Sequence, residues 1–140
     1  MKLLMLAALF VIPFQAANDR FNGVWIAQFE GRTFVRLELA SANGTSTGKI
    51  GTGNLTVDPQ GEVSEVTDVP TQLTPMSDII VRDATMAFAR MEGSELEHFE
   101  LRLRPDGTAE LEFLPSAELL REMKEEGIPP PKPIPLKRSR

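Results

Sequence analysis

Glu95-Leu96-Glu97-His98-Phe99-Glu100-Leu101-Arg102-Leu103-Arg104, then Pro105-Asp106-Gly107, then Thr108-Ala109-Glu110-Leu111-Glu112-Phe113-Leu114, reads as two strands and the turn between them. Successive side chains on a strand point to opposite faces. Phe99, Leu101 and Leu103 therefore share one face, and His98, Glu100, Arg102 and Arg104 share the other. The returning run sets Ala109, Leu111 and Phe113 inward and Glu110 and Glu112 outward. Pro105-Asp106-Gly107 supplies the fixed φ and the tolerant glycine of a tight turn. A period of two with no crossover helix marks an antiparallel hairpin.

The same pattern recurs outward from this hairpin. Strands are expected at Val24–Glu30, Thr33–Ala40, Thr45–Thr52 with Leu55–Val57 continuing it, Glu62–Thr67, Ile79–Arg82 and Thr85–Met91. In the second, Val35, Leu37 and Leu39 face one way and Phe34, Arg36 and Glu38 the other. Ala42-Asn43-Gly44, Asp58-Pro59-Gln60-Gly61 and Glu92-Gly93-Ser94 read as turns. Gly48, Gly51 and Gly53 predict bends or a bulge where a sheet curls to close. Val69–Ser77, with Pro70 and Pro75, reads as a loop. The fold expected is all-β: an antiparallel meander barrel of about eight strands.

The last part of the chain changes character. Ser116 is placed as a helix N-cap with Glu118 in the first turn. Leu119, Leu120 and Met123 make an apolar stripe, and Gly127 is a natural C-cap with Ile128 beyond it. Pro129-Pro130-Pro131-Lys132-Pro133-Ile134-Pro135 must be extended, polyproline-like chain. Leu136-Lys137-Arg138-Ser139-Arg140 is a basic cluster. At the other end, Lys2 precedes the apolar run Leu3–Ile12, which Pro13 breaks before Gln15-Ala16-Ala17. This is the order of a secretory signal peptide, and the run is too short to span a membrane. The expected organisation is a signal peptide over 1–17, a barrel domain over 18–114, a helix over 115–127 and a proline-rich basic tail over 128–140.

Losing Lys2 with the signal takes the formal charge from −5 to −6. Such acidity argues against a nucleic-acid partner, which needs a basic face. The chain has no cysteine, so packing alone must hold it together. Export without cysteine fits a secreted or periplasmic protein of the bacterial envelope. Asn43-Gly44-Thr45 and Asn54-Leu55-Thr56 match the glycosylation sequon, which matters only in a eukaryotic host.

Gly23-Val24-Trp25, carrying the only tryptophan, follows the signal and opens the first strand. A glycine-x-tryptophan opening followed by a strand meander resembles the calycin group, the lipocalins, avidins and their small bacterial relatives. The resemblance implies that Trp25 plugs one barrel end beside Gly23 and stacks with an arginine from a late strand, for which Arg138 and Arg102 are both candidates. A helix after the main run of strands fits lipocalins. The lipocalin disulfides and the avidin biotin-contact pattern are absent, so no ligand contact is carried over. The scaffold implied often binds small apolar molecules or, in bacterial periplasmic inhibitors, a protease.

Candidate chemistry is sparse. His98 is the only histidine; Glu100 shares its strand face and Glu97 does not. One histidine without cysteine makes no usual zinc set. No Gly-x-Ser-x-Gly elbow supports nucleophilic catalysis. Residues 44–53 have no Gly-Lys-Ser/Thr ending and no following helix, as a phosphate loop requires. No catalytic residue, metal or cofactor is assigned. The inward sets are bulky and nearly devoid of polar groups, whereas a pocket keeps a few. Two readings follow. One is an exported barrel binding an apolar or amphipathic small molecule. The other is a packed barrel that contacts an envelope protein or blocks a protease, through loop 69–77 or the tail.

Overall fold

A computed structural model describes residues 19–139. The expected signal peptide over 1–17 lies outside these residues, as does Arg140. The strands are β1 (Gly23–Phe29), β2 (Arg32–Ala42), β3 (Thr45–Thr52), β4 (Leu55–Val57), β5 (Val63–Val66), β6 (Thr74–Pro75), β7 (Ser77–Arg82), β8 (Thr85–Glu92), β9 (Glu95–Leu103), β10 (Ala109–Leu114) and β11 (Ile134–Arg138). Among the described residues one helix has a full span, α1 (Ala117–Glu125), between β10 and β11. Nine strands form a single sheet in the order β6-β3-β2-β1-β11-β10-β9-β8-β7, and β4 pairs with β5 apart from it. Every pairing is antiparallel. The sheet curls into a nearly closed barrel.

Two meanders, β1-β2-β3 and β7-β8-β9-β10, make up the wall, and two short proline-bearing segments join them. Thr74–Ser77 is the first. Thr74 and Pro75 pair with Ile50 and Lys49, the Met76 amide donates to the Gly48 carbonyl (2.9 Å), and Ser77 pairs with Ala89. The outermost strands β6 and β7 are thus separated in the chain by Met76 alone. The segment expected as a loop over 69–77 contributes these residues to the wall.

Ile134–Arg138 is the second join. Ile134, Pro135 and Leu136 pair with Leu111, Glu110 and Ala109 of β10. Lys137 and Arg138 pair with Ile26 and Trp25 of β1. The barrel therefore does not end at residue 114 with a separate tail after it, as the sequence suggests. Proline has no N–H for a ladder. Pro135 is tolerated because the register gives it a partner on β10 only. With these two joins in the wall and β4–β5 outside it, the sheet has nine strands where about eight are expected.

The interior follows the alternation. Val35, Leu37, Ile50, Met86, Leu101, Leu111 and Leu136 are all fully buried, with Phe88, Phe99 and Leu39 beside them in the core. Phe88 stacks on Phe99 (centroids 5.2 Å apart), which also meets Phe113 at 5.6 Å. Phe34 departs from the expected outward face and is buried. The register shifts between Ala27 and Gln28, so that Ala27 faces Val35 and Gln28 faces Thr33. Phe34 is the extra residue of this bulge, which turns it toward the core.

Of the bends or bulge expected at Gly48, Gly51 and Gly53, no bulge forms against β2, since β3 pairs with β2 without a shift. These glycines instead permit close approach. A Cβ on Gly51 would stand 2.6 Å from Leu73 and 2.9 Å from Pro70, and one on Gly53 would stand 1.9 Å from the Asp68 carbonyl oxygen. The returning chain 68–73 lies directly on them. At the β9–β10 turn, the Thr108 hydroxyl (2.6 Å) and amide (3.0 Å) donate to one Asp106 carboxylate oxygen. These bonds hold the exposed carboxyl below its ordinary pKa, so the anion that braces the turn persists to lower pH.

Leu136→Ala is expected to cost about 3 kcal/mol in urea unfolding, as a buried leucine truncation does. Pro135→Ala, one position away and exposed, should change stability by no more than about 0.5 kcal/mol.

Candidate functional site

The start of β1, the end of β11 and the start of β10 share one end of the barrel, which the turn Asp19–Asn22 covers. Phe21 is wholly buried there. The Trp25 indole N–H donates to the Phe21 carbonyl at 2.9 Å. The Arg138 guanidinium lies 4.2 Å from the Trp25 ring centroid and donates to the carbonyls of Asn22 and Arg20, the latter at 2.7 Å. A Cβ on Gly23 would stand 3.0 Å from an Arg138 guanidinium nitrogen, so glycine leaves that side chain its path. Gly23, Trp25 and Arg138 thus meet at this capped end. Arg102, the other candidate, points outward from β9 and pairs with Glu100. The open-surface ion pairs, Arg36–Glu38 among them, stabilise little.

The interior holds one charged group that the inward sets do not include. Arg90 is buried on the face of β8 that carries Met86 and Phe88. Its Nε donates to Glu97 (2.8 Å), its facing residue on β9, and Nη2 donates to the Thr52 hydroxyl of β3 at 2.8 Å. The guanidinium also lies 5.3 Å from the Phe99 ring centroid. Parity with Met86 and Phe88 is the sequence signal that finds Arg90. A buried ion pair repays its desolvation only when its geometry is good. Here it ties the β8–β9 hairpin to β3, on either side of the Met76 join. Arg90 is already neutralised, so it offers no free cation to a ligand.

The other end carries α1. Ser116 caps the helix by accepting from the Leu119 amide (3.1 Å), and Gly127, at φ +71°, ends it, with the Ile128 amide returning to the Met123 carbonyl at 2.8 Å. The helix forms where its caps place it, yet none of its residues is buried. Leu119, Leu120 and Ile128 are exposed together with Met91, Leu96 and Leu114, at 36 to 50 % each. Met91 and Leu96 face each other across β8 and β9 on the outer surface. His98 shares that surface, opposite Leu114, and is exposed. Among the described residues no cluster of three histidine, cysteine or carboxylate side chains is placed to hold a metal ion.

Three open hollows are relevant. The largest, about 740 Å³, lies beside the Met76 join, lined by Leu39, Gly48, Met76 and Ile79, and the buried Ser46 hydroxyl in its lining has no hydrogen-bond partner. One of about 340 Å³ lies between β1, the β5 turn and the proline run, where Lys132 meets Glu62 (3.5 Å). A cleft of about 200 Å³ runs between the first turns of α1 and the adjoining ends of β9 and β10, and residues of both strand faces line it.

This geometry defines an all-β, nearly closed antiparallel barrel, compatible with a calycin-like fold. No protein-family model, curated protein or solved structure matches the chain. Among the described residues no helix is long and apolar enough to cross a membrane.

Arg138→Leu is expected to cost about 2 kcal/mol, from the lost charged hydrogen bonds and ring contact, and to red-shift Trp25 fluorescence. Arg102→Leu should change neither by a measurable amount. Glu97→Ala, which leaves the Arg90 guanidinium only the more distant Glu92 carboxylate (3.8 Å) and the Thr52 hydroxyl, should cost about 2 kcal/mol in the same unfolding assay.

Proposed function

We propose that this chain is an exported, calycin-like barrel that acts through its outer surface as a protein-interaction module. The observation that carries this reading is the packed interior. Trp25, Leu37, Ile50, Met86, Leu101, Leu111 and Leu136 are each no more than 2 % exposed. A ligand-sized void against these side chains would appear as accessible surface on them. An eight-stranded barrel is wide enough either to fill with side chains or to hold one small ligand, and this packing favours the filled case. Trp25 then serves the fold, as the plug that Gly23 and Arg138 complete.

Export is supported by the positive start, apolar run and small residues of 1–17. The glycine-tryptophan opening and its stacked arginine support the calycin relationship. Loop 69–77 and the tail are less suited to partner contact, because residues of both belong to the wall. The exposed apolar side chains around α1 are better suited, since patches of this kind mark contact surfaces.

A second reading rests on the hollow at the Met76 join. Its size falls in the range of small-molecule sites, and an apolar or amphipathic molecule fits its lining.

Native mass spectrometry of protein recovered from an exporting bacterial host, without detergent, separates the two. The interaction reading expects the bare mass of the chain, beginning near residue 18. A stoichiometric apolar molecule retained through purification would overturn it in favour of the second.

A further inference from the structure

The cleft beside α1 has the character of a receptor for a particular kind of partner. Its lining brings together Leu96, Leu114 and Leu119, all exposed, with Phe113, Ser116 and His98. Four carboxylates, Glu95, Glu97, Glu118 and Glu122, make the rim acidic. Glu97 is committed to Arg90. Among the described residues, Glu95, Glu118 and Glu122 have no ion pair with any basic side chain. Glu118 and Glu122 stand four apart on one helix, where like charges repel. Arg121 and Lys124 lie on the same helix and neither pairs with them. The helix itself contributes no buried residue to the barrel, so its apolar stripe is not explained by the fold.

We propose that this cleft binds a basic, amphipathic protein segment, whose apolar side chains cover Leu96, Leu114 and Leu119 while its lysines or arginines meet Glu95, Glu118 and Glu122. This names the surface and partner chemistry for the interaction reading above and rests on it. Charge selects this occupant over two others. An anionic membrane surface attracts basic segments, and an acidic rim repels it. A second copy of this chain would bring the same acidic rim against itself, a like-charge juxtaposition that disfavours pairing. The acidity of the whole chain, −5 formally, adds a long-range attraction for a basic partner.

The test uses the folded barrel and two synthetic helices of about twelve residues, with leucine at helical spacing and either lysine or glutamate elsewhere. Methyl NMR follows the leucines, and calorimetry gives affinity. The lysine peptide is expected to bind and to shift the methyls of Leu96, Leu114 and Leu119, with the glutamate peptide at least about tenfold weaker. Moving from about 0.1 to 1 M salt should weaken binding severalfold, because the screening length falls to about 3 Å.

Glu118→Lys with Glu122→Lys should weaken the lysine peptide at least about tenfold without altering the melting curve, since both side chains are exposed. Leu96→Ser provides a second variant outside the helix, with the same direction expected. Equal binding of the two peptides, shifts confined to another face, adsorption to anionic phosphatidylserine vesicles, or concentration-dependent dimerisation through α1 would each overturn the proposal. None of these outcomes places a small molecule in the barrel, so the interaction reading fails only on the retained-ligand result.

Discussion

Closure of the barrel depends on two short straps, and on Arg138 above all. Neither meander can bury its inner face alone, because a curved sheet of three or four strands leaves one side of its apolar row in water. The straps bring the two rows together. β11 pairs with β10 in its first half and with β1 in its second, and its last residue lies on Trp25. The guanidinium there serves three purposes: it covers the indole, takes up two carbonyls of the capping turn and anchors the strand end. At the other join, Arg90 reaches from β8 to Thr52 across the barrel wall. Each join thus has an arginine near it, and each arginine has its donors directed at partners in the opposing segment.

This construction bears on where function resides. Trp25, Leu101 and their neighbours in the core are almost wholly buried among apolar side chains. Of the polar groups that enter, Arg90 engages Glu97 and Thr52, whereas the Ser46 hydroxyl has no hydrogen-bond partner among the described residues. What remains chemically unspent is on the outside at the α1 end: apolar side chains in water, unpaired carboxylates and a helix that the core does not need. Ile80 on β7 is also exposed; the other most exposed large apolar residues among those described lie on α1, just after it, or at the ends of β8, β9 and β10.

Much of this was legible in the sequence because it follows from local rules. Period-two alternation identifies β2, β3, β9 and β10, and capping chemistry identifies α1 from Ser116 to Gly127. What was not legible depends on tertiary context. Phe34 reverses its face because a bulge in the partner register interrupts parity. Ile134–Arg138 hides as a strand because its prolines read as polyproline chain, and only its split pairing makes Pro135 acceptable. The glycines of β3 suggest curvature, whereas their meaning lies in a segment some twenty residues later that rests on them. Caps predict that a helix forms, but not that its apolar stripe remains uncovered, since that depends on what the rest of the chain brings near. The acidic rim is likewise assembled from β9 and α1, and no single stretch displays it.

The position of β11 also sets an order of events in time. Chains emerge from the ribosome N-terminus first, at about 5–20 residues per second. The first meander is complete at Thr52 and the second at Leu114, yet the strand that joins them is the last to emerge. Until Arg138 is free, Trp25 has no cover, β1 and β10 present bare edges, and the sheet cannot become continuous. Exposed edges recruit other chains, and the barrel wall becomes continuous only once this strand has joined β1 to β10.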